Sequence, residues 1–422
     1  MVSVLSALFP SSGRLGHSAG GDGLAGSGTQ GNPTPVCMVK AMALSRRLFL
    51  LIPIAGAFVV AAVAVVVFVI NREGQDAEDE NPASKTVFVF AEFGTTADGI
   101  YRASADNPSE RSLIATVEHA PEWGINPAAR PAGFRIAFTV LPPGSTPARE
   151  TAAELWLLDA ETGKRRLLAS DADLLTAPVF DRAGEHLAYR SDGEANRQSL
   201  VSVDLATGER HTLHTVETQF GIYPVGFASN GALLFANLSR SGTDLFRLPD
   251  GGQPELVLHA SDQIARDWSV SPDGEAVSFV APETREQRVV NRLQVVDLLG
   301  KKRVSVPAAE TPSTADQFSP IWRPDGTAIT VGREAYPNRN AAAMTYPLDS
   351  DTAQALATPE QGYDVPLSWS ADGEYLAARS YDGTTANEPG MESLVVITPD
   401  GRRRAVTAPN EVLFLGWMMP NG

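Results

Sequence analysis

From about residue 86 onward, short runs of Val, Ile, Leu and aromatic residues are separated by clusters of Asp-Gly, Pro and Ser. That pattern predicts strands joined by tight turns rather than helices. The stretch from Leu367 to Val406 holds four such runs, with EYLAARS and SLVVITPDG in its middle. Equivalent second runs recur as FRIAFTV from Phe134, HLAYRS from His186, LLFANL from Leu233, AVSFVA from Ala276, AITVGR from Ala328 and YLAARS from Tyr375. An aromatic precedes each one: Trp123, Phe180, Phe227, Trp268, Trp322 and Trp369, with Trp417 as a seventh, at intervals of 41 to 57 residues.

A period of that size, holding four strands, is that of a β-propeller blade. The fold class expected is therefore all-β, a seven-bladed propeller, with six blades as the alternative if the weak copy around Gly133 is irregular. Trp417 is followed by only five residues, so its blade has a first strand alone. The missing strands are TVFVFA from Thr86, GIYRAS from Gly99 and RSLIATV from Arg111. Both ends of the domain then complete one closing blade, which leaves no open sheet edge. The turn after each aromatic is clearest at Ser271-Pro272-Asp273-Gly274 and is repeated at Arg323 to Gly326 and Ser370 to Gly373. Pro sets φ, Asp bonds its own backbone and Gly takes positive φ.

These turns resemble those of the TolB-like propellers, whose repeats carry a W-S-P-D-G element related to the PD40 and WD40-like repeats, and the resemblance covers residues 86 to 422. It implies the repeat class, a propeller of four-stranded blades. No Trp is followed by Asp, as the WD40 signature requires. TolB itself is a soluble six-bladed protein with an extra N-terminal domain, for which this chain lacks room, so TolB's role is not transferred.

Upstream, Leu48 to Ile70 is a run of 23 residues without a charge. At ~1.5 Å per residue a helix of that length crosses a hydrocarbon core of about 30 Å. Arg46 and Arg47 precede it, while Glu73, Asp76, Glu78, Asp79 and Glu80 follow. The expected orientation puts the N-terminus in the cytoplasm and the propeller outside, on a single-pass cell-membrane anchor. The domains expected are a disordered tail over 1–44, an anchor over 45–70, an acidic linker over 71–85 and the propeller over 86–422. Synthesis from Met38 or Met42 is an alternative start. The lone cysteine, Cys37, lies upstream of the anchor, so the external part has no disulfide.

The formal charge is −16, and the part after Ile70 carries 30 basic against 49 acidic residues. Such a surface opposes nucleic acid and anionic membrane as ligands. On a propeller, the blade-to-blade connections share a face with the long loops at Leu141 to Ala153, Ala281 to Asn291 and Tyr381 to Glu392. That variable face is where binding is expected. Its candidate binding residues are Glu122, Asp171, Asp173, Glu217, Asp262, Asp267, Asp316, Glu360 and Asp364. The ordinary reading is that they solvate exposed loops; the functional one is an acidic funnel. Tyr223, Tyr336 and Tyr363 are expected as exposed aromatic contacts, and the repeated Trp as core.

Within residues 86 to 422 no Gly-x-Ser-x-Gly, His-Glu-x-x-His, Walker loop or Ser-x-x-Lys occurs. Nothing selects a catalytic residue, a cofactor or a metal. His211 and His214, three apart on a strand, face opposite sides and do not make a ligand pair. The leading expectation is a non-enzymatic module that binds an envelope protein, peptide or glycan. The alternative is a saccharide hydrolase or lyase using carboxylates at the channel mouth, and a sensor with a cytoplasmic tail is a third.

Overall fold

The computed structural model describes residues 86–418, apart from 147–150, 286, 305–315, 335–339, 351, 384–387 and 409. The expected tail, anchor and linker, with Cys37, Met38 and Met42, lie outside the described residues, as does Tyr336. Among the described residues no helix is long and apolar enough to cross a membrane. Regular structure there is β-strand, apart from a three-residue 3-10 turn at Glu194–Asn196.

Apart from a short parallel pair, Asn340–Ala341 with the start of Gly362–Trp369, strands pair antiparallel, and the six sheets of the described residues, one of eight strands and one of five, follow the chain as seven successive arrays of four. Array one joins Val412–Met418 to Val87–Glu92, Ala97–Ser104 and Asn107–Glu118. Phe88 lies opposite Trp417 in that pairing, so the last strand completes the first array. Arrays two to seven begin with the strands Asn126–Pro127, Val179–Phe180, Gly221–Phe227, Arg266–Val270, Asp316–Trp322 and Gly362–Trp369. Arrays two and three touch through one extra pair, Ala172 with Ser191. The copy around Gly133 is short, only Asn126–Pro127, yet it holds its place, and Ala128 continues it by donating to Ala137 O at 2.8 Å.

The first strand of each array is an inner edge, and its sequence reflects that. Pro127, Pro224, Pro320 and Pro366 sit within first strands and Pro178 just before one. A proline removes a donor, which an unpaired edge tolerates and a central strand does not. Register shifts follow at Pro224 to Gly226, Phe318 to Ile321 and Pro366 to Ser368, bulges that bend the inner edge. The core lies between neighbouring arrays. Val89 and Ile100 of array one pack with Ile136 and Phe138 of array two, and Leu234 and Leu245 of array four pack with Phe279 and Val296 of array five. Each such fully buried side chain contributes about 1.5–3 kcal/mol before conformational entropy is subtracted.

Two sequence expectations need correction. The repeated aromatic is set by its distance from the turn glycine: Phe180, Phe227, Trp322 and Trp369 each stand four before theirs, at Gly184, Gly231, Gly326 and Gly373. By that register the equivalents in arrays two and five are Ala129 and Val270, not Trp123 and Trp268. Trp123 packs instead with Ala120, Leu141, Ala153 and Leu174, and Trp268 stacks on Phe279 at 4.4 Å. The stretch from Ala281 to Asn291 is also not an irregular loop. Its two strands stay paired out to Arg285 opposite Arg288, forming a long hairpin. Within it Val289 is exposed whereas Ala281 and Val290 are buried, and β-branched residues suit such a ribbon.

Candidate binding channel and acidic connection face

Seven first strands converge on one cavity of about 840 Å³. It runs from the middle of those strands to the turns that follow them, and its wall includes Trp268, Trp322, Trp369 and Trp417. Three of these indoles are braces between arrays. Trp322 Nε1 donates to Ser269 O at 3.0 Å, Trp417 Nε1 to Ser368 O at 3.0 Å and Trp369 Nε1 to Thr330 Oγ1 at 3.0 Å. All three bonds cross from one array to the preceding one, so these tryptophans hold the ring, as expected of core residues.

Four charged residues line the cavity: Arg130, Asp181, Arg182 and Asp267. The acids are already engaged. Asp181 accepts from Glu185 N at 2.7 Å and faces His186 Nδ1 at 2.9 Å, while Asp267 accepts from Ser319 N at 2.9 Å. Arg130 does something different. Its Nη2 donates to Ser269 Oγ at 2.9 Å and Val270 O at 3.1 Å, so a side chain of array two reaches array five. It is open to the void yet surrounded by protein, and that enclosure lowers its pKa. Neither Arg130 nor Arg182 forms an ion pair among the described residues. Sequence reading missed both; the one signal was that Arg130 stands where Ser271 and Ser370 begin the other turns.

All nine candidate acids fall in or beside the connections between a fourth strand and the next first strand. They do not share one environment. Glu122, Glu217, Asp262 and Glu360 are exposed. Asp364 is 1 % exposed and receives both ends of the Arg403 guanidinium, at 2.8 and 2.5 Å. Asp173 is buried against Arg190 at 2.7 Å and also accepts from Leu175 N. Asp171 accepts from Tyr189 Oη and Arg210, each at 2.9 Å, and Asp316 accepts from Asn291 N at 2.7 Å. Asp262 faces His259 Nε2 at 3.0 Å from solvent. The expected aromatic contacts are corrected too. Tyr223 is buried beneath the Arg190 guanidinium, 4.9 Å from its ring, and Tyr363 is buried between Phe318 and Tyr381. Both begin first strands that lie deep in the ring, which a sequence window does not reveal.

His211 is exposed beside Glu209, while His214 lies near the Phe235 ring, and its partial burial lowers its pKa. The two are not brought together. A pair that sequence reading did not single out is His119 with Asp98, both fully buried side chains, Nε2 to Oδ1 at 3.0 Å. Nδ1 of the same ring faces Ala120 O at 2.8 Å, and Asp98 also accepts from Gly94 N and Ile125 N. Two acceptors on one imidazole favour its doubly protonated form. Burial opposes that charge, and the bonds to Asp98 and Ala120 outweigh it, so the His119 pKa is raised.

The arrangement of four-stranded arrays around an axial cavity defines the class: a β-propeller. Solved structures similar to this chain include the β-propeller domain of the trilobed protease from Pyrococcus furiosus, 14% identical, covering 77% of this chain and 95% of that one with a TM-score of 0.52. That domain is described as having an open velcro topology, whereas here the Val412–Met418 strand closes array one. Oligogalacturonate lyase from Vibrio parahaemolyticus is 13% identical, covering 76% of this chain and 84% of that one with a TM-score of 0.51. TolB from Acinetobacter baumannii is 16% identical, covering 66% of this chain with a TM-score of 0.44, and the match spans 65% of TolB's own length. At these identities the likeness is one of fold. No protein-family model and no curated protein matches the sequence.

Proposed function

We propose that this chain is a seven-bladed, TolB-like propeller tethered to the cell membrane through residues 48–70, with its ring outside. It acts as a non-enzymatic binding module for an envelope protein, peptide or glycan. The observation that carries the reading is the convergence of seven inner strands on one cavity inside a ring closed by both ends of the described chain. Rigid inner strands with variable connections are the usual platform for recognition. The acidic connection face supplies the outer contact surface, where Glu122, Glu217, Asp262 and Glu360 are the exposed candidates.

A saccharide hydrolase or lyase would need two carboxylates facing a common space. The two that line the cavity, Asp181 and Asp267, each hold backbone N–H groups that shape their own loops. That favours binding over acid and base chemistry. The test is crosslinking of the full-length protein in native membranes, comparing the wild type with a variant carrying Glu122→Lys, Glu217→Lys, Asp262→Lys and Glu360→Lys. Loss of a crosslinked partner at an unchanged thermal midpoint supports the reading. An unchanged crosslinking pattern sinks the acidic face, and turnover of a defined envelope polymer by the purified protein sinks the non-enzymatic assignment.

A further inference from the structure

We propose that the axial cavity is a carboxylate site, built on Arg130 and Arg182. The inference rests on the reading of the ring as a binding module and names the chemistry of its interior. An arginine carries five N–H donors in a fixed fork. Arg130 places Nη2 on Ser269 Oγ and Val270 O, which anchors the guanidinium across the channel. Its Nε and Nη1 have no hydrogen-bond partner among the described residues, so one edge of the fork is anchored and the rest is presented to the void.

Arg182 lines the same cavity from the next turn along. The turns are neighbours: Ala129 N donates to Pro178 O at 3.2 Å, and a Cβ on Gly184 would lie 2.7 Å from that of Ala132. Asp273 on array five is the acid that feels the Arg182 charge, and it is itself held by Ser271 Oγ and Glu275 N. Two guanidiniums, with Asp181 and Asp267 in the same wall, suit a monoanion rather than a polyanion. A planar carboxylate matches the open edge of a guanidinium by two parallel N–H···O bonds. Beside Asn126, Thr176 and several serines, the wall carries indole, phenyl and proline, so the group carrying the carboxylate is apolar or aromatic in part, and about 840 Å³ limits it to a small acid or the end of a peptide.

Four of the cavity's residues are tryptophans, which supply the readout. The full-length protein in detergent is titrated with 4-nitrobenzoate, a carboxylate that quenches indole fluorescence, and in parallel with neutral 4-nitrobenzamide. The acid should quench saturably and the amide only in proportion to its concentration. Arg130→Gln should weaken saturable quenching at least ten-fold, and Arg182→Gln, on an exposed turn, should weaken it several-fold at an unchanged thermal midpoint. Because Arg130 also braces the ring, the Arg182 variant keeps the test valid if Arg130→Gln unfolds. Competition by a free-acid pentapeptide but not its C-terminal amide assigns the site to chain ends. Competition by acetate and benzoate alone assigns it to small acids. Equal, saturable quenching by acid and amide overturns the carboxylate assignment while leaving the binding module intact, and linear quenching by both overturns the channel as a binding site. Preferential competition by inorganic phosphate overturns the monoanion assignment.

Discussion

At the turn end of the ring, Asp273 is served by Ser271 and Glu275, both two positions away. At the connection end, Asp364 is served by Arg403, 39 positions away, and Asp98 by His119 and Ile125. The turn end repeats one local device: Ser370 and Glu374 serve Asp372 as Ser271 and Glu275 serve Asp273, and Thr327 serves Asp325. The connection end solves each junction separately, with long-range pairs that join elements the chain brings together only on folding. Local devices are individually modest because they compete with similar turns in the unfolded chain. A buried long-range pair has no such counterpart, so its removal leaves a desolvated partner.

The comparison is broken most sharply at Asp98. It holds a buried histidine and two backbone N–H groups from separate loops. Asp98→Ala should cost about 3–5 kcal/mol, the usual loss when one partner of a buried pair is removed. Denaturant unfolding of the variant would measure it, and a loss below about 1 kcal/mol would show that the pair contributes no more than a surface contact.

The same pair predicts a pH dependence. The folded pKa of His119 is raised, with Asp98 and Glu122 the acids that face it. A raised folded pKa means that the contribution is fully present below the unfolded value of about 6.5 and is lost as pH rises through the folded pKa. Stability measured across this range should therefore fall on the alkaline side by an amount that His119→Gln removes. A profile identical in wild type and variant would show that the ring does not charge on folding.

Asp364→Ala should come next, at about 3 kcal/mol, because it abandons a bidentate guanidinium on a residue that is 1 % exposed. Arg403 keeps bonds to Ala357 O and Ser380 Oγ, which limits the loss. A thermal midpoint equal to that of the wild type would place Asp364 among the solvating acids.

How much of this was legible follows the same divide. The strands, the turn chemistry and the closing strand at Trp417 are written in local spacing, because a two-residue period and an Asp-Gly pair act within a few positions. The first strands were legible as strands, but Trp123 and Trp268 were matched by residue type when the register runs through Ala129 and Val270. Of the nine candidate acids the connections were readable, whereas the capture of Asp173 by Arg190 and of Asp364 by Arg403 was not. Arg403 stands in the run Arg402-Arg403-Arg404, at the turn between the strands Glu392–Ile397 and Arg403–Ala405. Its long stem carries the charge elsewhere, which is why sequence position alone misplaces arginine charge. Arg130 escaped for the same reason.

The smallest effects belong to the turn end, and two glycines separate conformational strain from close approach. Gly274 and Gly231 share a left-handed backbone, with φ of 74° and 80°. An added Cβ on Gly231 meets nothing within 4 Å, so Gly231→Ala pays only the conformational penalty, about 1 kcal/mol. On Gly274 the same atom would stand 2.5 Å from Ser229 N, the group that donates to Gly274 O at 2.8 Å across to array four. Gly274→Ala should therefore cost about 2 kcal/mol, since the neighbouring backbone has to move and an inter-array bond is strained. The difference between the two, read from paired denaturation curves, isolates the contact between arrays from the turn itself. If both variants lose the same amount, the turns cap their own hairpins and contribute nothing to holding one array against the next, and the burden of ring closure falls on the indole braces and the connection end.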